Sequence, residues 1–459
     1  MSRLGRRLLP LAAALALLAA LTPASPAQAS TWNGLTATPI KHFLFLLQGD
    51  RSFDNYFGSY PGADGIAHAT CQRQAGGKPA DCVKPFPLHG TALPPLGATA
   101  SVIEKQYDNG KMDGFVSALQ SVGRDGSKAM GYYDQQDLPA YWRAASQYVL
   151  FDRFFSATRD GVRSNRAYWV SATDAAASAD SQPLTIFDQL QAAGISSWKF
   201  YVQNYRPVDG PQVGGTASNT QDAAVPLLNY PRFTSNPALR SHIVDLGQYY
   251  QDLQQGTLPA VAYFATSGSS ERSARSISEG QSLVTSLTGQ LMLSRFWSSS
   301  AFLLSYDGTG GFYDHVRPPQ VDGHGLGLRV PALLISSFAR RGMVNHITLD
   351  YTSALSFIET NWELEPLATR ERLVGSLQSA FDFTSPPRPP ELIANGSPPT
   401  PQGKLGSTGI VYLSYGAALA VVAATVGFAF ARSRVRRPHP VLPATVETVA
   451  PLRIGADRR

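Results

Sequence analysis

The run Ile40–Leu47 ends in five consecutive large apolar residues, Phe43-Leu44-Phe45-Leu46-Leu47, and stops at Gly49-Asp50. Side chains of a strand alternate between its two faces, so such a run is satisfied only where both faces are covered. Similar runs lie at Ala260–Ala265, Ala301–Tyr306 and Val330–Ile335. Helical spacing separates them at Leu184–Ala193 and Leu283–Phe296, and recurs at Ser353–Asn361. Thr185-Ile186-Phe187-Asp188 reads as a helix start. The pattern predicts an α/β fold with a doubly wound, mostly parallel sheet. Ligands of such sheets sit beyond the carboxyl ends of the strands, where this chain carries Asp50 and Asp307. Two carboxylates on one rim make a candidate cation site.

Both ends of the chain carry targeting signals. Arg3, Arg6 and Arg7 lead into the apolar run Leu8–Leu21 and then Ala27-Gln28-Ala29, so residues 1–29 read as a secretory signal peptide. An uncleaved N-terminal anchor is the other reading, although the apolar stretch is short for a span. Residues 410–431 hold no charge and would extend about 33 Å as a helix, enough to cross a hydrocarbon core. Arg432, Arg434, Arg436 and Arg437 follow at once and belong in the cytoplasm. The expected order is signal peptide 1–29, ectodomain 30–384, Pro/Gly-rich linker 385–409, transmembrane helix 410–431 and basic cytoplasmic tail 432–459. That arrangement places a single-pass protein in the cell membrane with its globular domain outside.

The formal charge of +6 divides into +3 at the N-terminus, +5 from Arg432 onward and about −2 for everything between. A nearly neutral body excludes a nucleic-acid groove. The 40 Gly and 33 Pro show no period, which excludes a collagen-like chain. Cys71 and Cys82 are the only cysteines, and in an exported chain they are expected to form one disulfide. As a metal pair they lack Cys or His partners at zinc-ligand spacing.

The stretch Gln48-Gly49-Asp50-Arg51-Ser52-Phe53-Asp54-Asn55-Tyr56-Phe57-Gly58 resembles the opening signature of the phosphoesterase family that contains bacterial phospholipases C and a related acid phosphatase. There it usually reads Gln-Glu-Asn-Arg-Ser-Phe-Asp. The resemblance continues through Gly110–Phe115, Gly131–Asp134, Asp137–Trp142, Asp152–Phe155 and Asn165-Arg166. Later it takes in Tyr306-Asp307, Gly310–Val316, Arg329–Leu333 and Phe357–Trp362, and so covers about residues 38–390. It implies an alkaline-phosphatase-like fold and a phosphate ester or phospholipid substrate. The implied chemistry is attack by a Ser or Thr hydroxyl, activated by a metal held on carboxylate and amide oxygens. Histidines then bind the phosphate or protonate the leaving group.

Set against that pattern, the site positions are depleted. The metal-ligating Glu stands as Gly49, and the neighbouring Asn as Asp50. Tyr-Asp-Glu becomes Tyr306-Asp307-Gly308, and Glu-His-Pro becomes Glu271-Arg272-Ser273. The nucleophile position, three residues before Asn165, is Val162, and the usual Pro is Ser164. Gly97-Ala98-Thr99-Ala100 stands where a family His often lies. Asp50 and Asp307 remain as metal ligands, enough for a weakly held divalent ion such as Mg²⁺ or Ca²⁺, or for no cofactor at all. Ser164 and Thr158 are candidate replacement hydroxyls, and His346 is the candidate acid or phosphate contact. Asn165, Arg163, Arg166 and Arg272 are candidate anion contacts. Arg163 and Arg272 replace groups that are not cationic in the family, and inside the pocket they would take a metal's space and part of its charge. Arg51 and Asp54 read as loop scaffold and Asp314-His315 as a loop former, while His324 is either an exposed loop residue or a ligand. Two functions stay open: a membrane-anchored phosphoesterase with a rearranged site, and an inactive family member that binds an anionic ligand.

Overall fold

A computed structural model describes residues 34–393, except 68, 79–80, 91–95, 174–181, 208–219, 268–269 and 273–276. The expected signal peptide 1–29, transmembrane helix 410–431, tail 432–459 and the linker beyond Ile393 lie outside the described residues. Among the described residues no helix is long and apolar enough to cross a membrane.

The apolar runs form one eight-stranded sheet. In chain order its strands are β1 (His42–Gln48), β2 (Val149–Phe151), β3 (Trp198–Val202), β4 (Ile243–Asp245), β5 (Val261–Ala265), β6 (Ser300–Tyr306), β7 (Ala332–Ser336) and β8 (Met343–Asn345). Across the sheet they lie in the order β8-β2-β7-β6-β1-β5-β3-β4. All neighbours are parallel except at β7, which runs against both β6 and β2. An apolar run reads the same in either direction, so Val330–Ile335 alone could not reveal this reversal. The cause is local: no helix lies between β6 and β7, and a parallel return needs a crossover of that kind.

The principal helices are α1 (Phe53–Phe57), α2 (Pro139–Gln147), α3 (Val162–Ser171), α4 (Ile186–Ala192), α5 (Ile277–Leu293) and α6 (Tyr351–Trp362). The Thr185–Asp188 start of α4 is a capping box, with each side chain bonded to the other's backbone N–H. Helices cover both faces of the sheet. On one, the α3 residue Trp169 stacks on Tyr263 at 4.8 Å and the α6 residue Phe357 lies 5.2 Å from Phe43. On the other, Phe264 meets Phe302 and Tyr249, and the Tyr249 hydroxyl donates to the Leu287 carbonyl of α5 at 2.9 Å. Phe43 through Leu47 are completely buried, as a doubly covered strand requires. Cys71 and Cys82 form the expected disulfide, with Cα atoms 5.6 Å apart.

The register positions the site. Gln48 pairs with Tyr306 and Leu47 with Ala265, so β1, β6 and β5 end side by side. The loops carrying Asp50, Asp307 and Arg272 therefore leave the sheet at one rim.

Candidate functional site

The signature loop turns at Asp50, whose φ of 60° lies in the left-handed region. It packs against Gly310, where a Cβ would stand 2.7 Å from the Asp50 Cβ. Arg272 reaches both rim carboxylates, with Nη1 3.2 Å from Asp50 Oδ2 and Nη2 in direct contact with Asp307 Oδ2. Arg166 adds a second cation, its Nε 2.8 Å from the same Asp307 oxygen. Two guanidinium groups thus neutralise two carboxylates. Burial pushes the Asp50 carboxyl up to about 6, against the pull of Arg272.

Neighbouring residues build the seat of Arg272. Glu271 is fully buried and accepts hydroxyl hydrogen bonds from Tyr56, Tyr141 and Tyr306, the last at 3.1 Å. Burial raises its pKa, against the hydrogen bonds from Tyr141 and Tyr56. Gly49 supplies the space. A Cβ there would meet the Arg272 Cβ at 2.7 Å, Ser270 Oγ at 2.9 Å and Arg272 Nε at 3.2 Å. The missing side chain at 49 and the arginine at 272 are therefore two halves of one arrangement.

Beside the ion pairs lies a cavity of about 30 Å³, room for a water or two. Asp50, Thr158, Val162, Asn165, Asp307 and Thr309 line it. Val162, which the resemblance implies to be the nucleophile position, shares this lining with the rim carboxylates and presents an isopropyl group. Thr158 donates its hydroxyl to Asp160 at 2.7 Å. Asn165 is engaged at both ends, donating to the Asp307 carbonyl at 3.1 Å and accepting from Thr158 N at 2.9 Å. Ser164 is buried on α3 and does not line the cavity.

Two buried polar atoms at the cavity have no protein partner, Asp307 Oδ1 and Thr309 Oγ1. Thr309 was not anticipated; its only trace in the sequence is a hydroxyl two residues after the rim Asp307. These donors do not suit a divalent ion. Mg²⁺ or Ca²⁺ takes six or more oxygens, whereas Gly49 and Gly308 offer no side chain and Arg272 already holds Asp50 and Asp307.

The other candidates lie elsewhere. Arg163 is exposed on the first turn of α3 and is not among the residues that line the cavity. His346 pairs through Nδ1 with Asp152 at 2.8 Å, in a second network rather than at the rim cavity. Arg329 is the hub of that network. Its Nε bonds Asp314 at 3.0 Å, its Nη2 bonds Asp54 at 2.9 Å, and its Nη1 bonds the carbonyls of Asp64 and Asp152. His315 donates its backbone N–H to Asp54 and pairs with it through Nδ1 at 2.8 Å. Its Nε2 lies 3.2 Å from Asp64.

Asp54, Asp314 and His315 are close enough to hold a metal. Every oxygen of both carboxylates is nevertheless taken by Arg329, His315 or a backbone N–H. The group is a brace for the signature loop, in keeping with Asp54 as scaffold and Asp314-His315 as a loop former. His324 is exposed.

Several known proteins are similar to this chain. The profile of the phosphoesterase family matches residues 40–365. Phospholipase C A of Mycobacterium tuberculosis is 30% identical over 417 residues, covering 76% of this chain and 78% of that protein. Non-specific phospholipase C3 of Arabidopsis thaliana is 25% identical, covering 78% of this chain and 76% of the relative. Among solved structures, a Vibrio parahaemolyticus protein of the alkaline phosphatase superfamily aligns with a TM-score of 0.33 and 10% identity, over 71% of this chain and 68% of that one.

Proposed function

The chain belongs to the phosphoesterase family, and on that premise we propose that it is a membrane-anchored, extracytoplasmic member whose phosphoester site is closed by its own ion pairs. It acts as a binding module, not as a hydrolase of phosphate esters or phospholipid head groups. The observation that carries this reading is Arg272, whose one guanidinium spans Asp50 and Asp307 where the family resemblance implies a shared metal. Val162 at the nucleophile position supports it independently. Because the rim cluster is neutral, it does not draw an anion into the cavity. The anchor rests on the export signal at 1–29 and the uncharged run 410–431 with its arginine-rich flank.

One observation favours a second reading. The unpartnered Thr309 hydroxyl and Asp307 Oδ1 share the cavity, so a rebuilt enzyme would use Thr309 as nucleophile, with Arg272 in place of the metal's charge. Turnover of bis-p-nitrophenyl phosphate by wild type, Asp307→Ala and Thr309→Val, with and without chelator, separates the two. The binding-module reading expects no turnover in any arm. Wild-type turnover that disappears in Thr309→Val would establish the second.

A further inference from the structure

Away from the rim, two larger grooves share a single residue. One of about 460 Å³ is lined by Tyr60, Tyr132 and Lys84 among others, and a second of about 450 Å³ by Tyr60, Trp142 and Arg143. Neither shares a lining residue with the rim cavity, and each exceeds it more than tenfold.

The aromatic wall is set before any ligand arrives. Trp142 Nε1 donates to the Tyr56 carbonyl at 3.1 Å, the Tyr60 ring meets the indole edge-on at 5.0 Å, and Phe57 stacks beneath at 6.5 Å. Both Tyr60 and Trp142 remain partly exposed. Rings fixed in this way offer broad apolar faces at little ordering cost.

The polar lining is one-sided. Lys84 and Arg143 are the only charged groups among the described residues that line the grooves. Gln135 adds an exposed side-chain amide to the lining of the second groove. The complementary ligand has flat C–H faces for the rings, hydroxyls for the amide and negative charge for the two cations. Its length must allow it to pass Tyr60 from one groove to the other.

We propose that the two grooves form one binding site for an anionic glycan, with sugar rings on Tyr60 and Trp142 and its acidic groups on Lys84 and Arg143. Concave grooves suit a chain ligand better than a membrane surface, and the paired cations with a side-chain amide suit a glycan better than a proline-rich peptide. The site stands apart from the rim cavity, so its test is independent of whether that cavity turns over phosphate esters.

The test is calorimetric titration of the purified full-length protein with uronate, sulfated and phosphorylated oligosaccharides. Neutral cello-oligosaccharides, a proline-rich peptide and phosphatidylglycerol vesicles serve as comparisons. At least one anionic oligosaccharide should bind, salt should weaken it, and Trp142→Ala should lower affinity by about tenfold or more. The exposed charge reversals Lys84→Glu and Arg143→Glu leave packing intact, and each should cost several-fold. Failure of every anionic glycan, tighter binding of the neutral sugars, peptide or vesicles, or affinity unmoved by the two charge reversals would overturn the assignment.

Discussion

Two arginine–carboxylate clusters support the same signature loop, and they differ in how fully they are satisfied. Around Arg329, whose side chain is 0% exposed, every oxygen of Asp54 and Asp314 has a partner. Around Arg272, 36% exposed, Asp307 keeps an unpaired oxygen and a narrow cavity lies alongside. A saturated, dry cluster fixes backbone. On the proposed reading, the partly open one, with its unpaired acceptor, keeps the outline of a site while blocking it.

That contrast breaks most visibly at Arg329. Arg329→Ala leaves Asp54 and Asp314 buried without their cation and should cost about 3–5 kcal/mol, read by urea unfolding. Arg272→Ala, with a partly solvated side chain and Arg166 still beside Asp307, should cost far less. Comparable losses from the two variants would remove the distinction.

Next in size is the coupling between positions 49 and 272. Gly49→Ala forces a Cβ against the Arg272 Cβ and should cost about 1–3 kcal/mol. Arg272→Gly in the same chain should recover part of that loss, giving a double-mutant coupling of about 1 kcal/mol or more. Strict additivity would mean the two positions are independent.

The brace also carries a pH signature. Burial pushes the His315 imidazole down, but the hydrogen bond and charge of Asp54 outweigh it and hold the pKa at about 9. A histidine raised above its unfolded value stabilises fully below about 6.5, and that contribution fades as pH climbs through about 9. Wild-type unfolding free energy should fall across this window, and His315→Gln should flatten the fall. The smallest effect is expected at Gly308, where a new Cβ would meet only Asp50 Oδ1 at 3.7 Å. Gly308→Ala should move stability by less than about 0.5 kcal/mol in a thermal melt.

Much of this framework was legible beforehand. The unbroken run Phe43–Leu47 required a doubly covered strand, and the sheet logic brought Asp50 and Asp307 to one rim. The family resemblance implied replacements at Gly49, Val162, Arg272 and Gly308. What the residues could not convey was three-dimensional closure. Arg163 and Arg272 looked equivalent in the sequence, yet one is exposed on a helix turn and the other is drawn inward by the Glu271–tyrosine anchor and the space left at Gly49. His346 pairs with Asp152, 194 positions away, and no local pattern encodes that contact. The direction of β7 was hidden because its apolar run has no polarity of its own.

The central claim is that Arg272 occupies the place of a cation between Asp50 and Asp307. Its most direct test is electron paramagnetic resonance of Mn²⁺ titrated into wild type and Arg272→Ala, with native folding of both checked by circular dichroism. Wild type should leave the free-ion signal undiminished, whereas Arg272→Ala, which frees Asp50 and removes one of the two cations on Asp307, should bind the ion measurably. Stoichiometric Mn²⁺ binding by wild type that Asp307→Ala abolishes and Arg272→Ala leaves unchanged would contradict it.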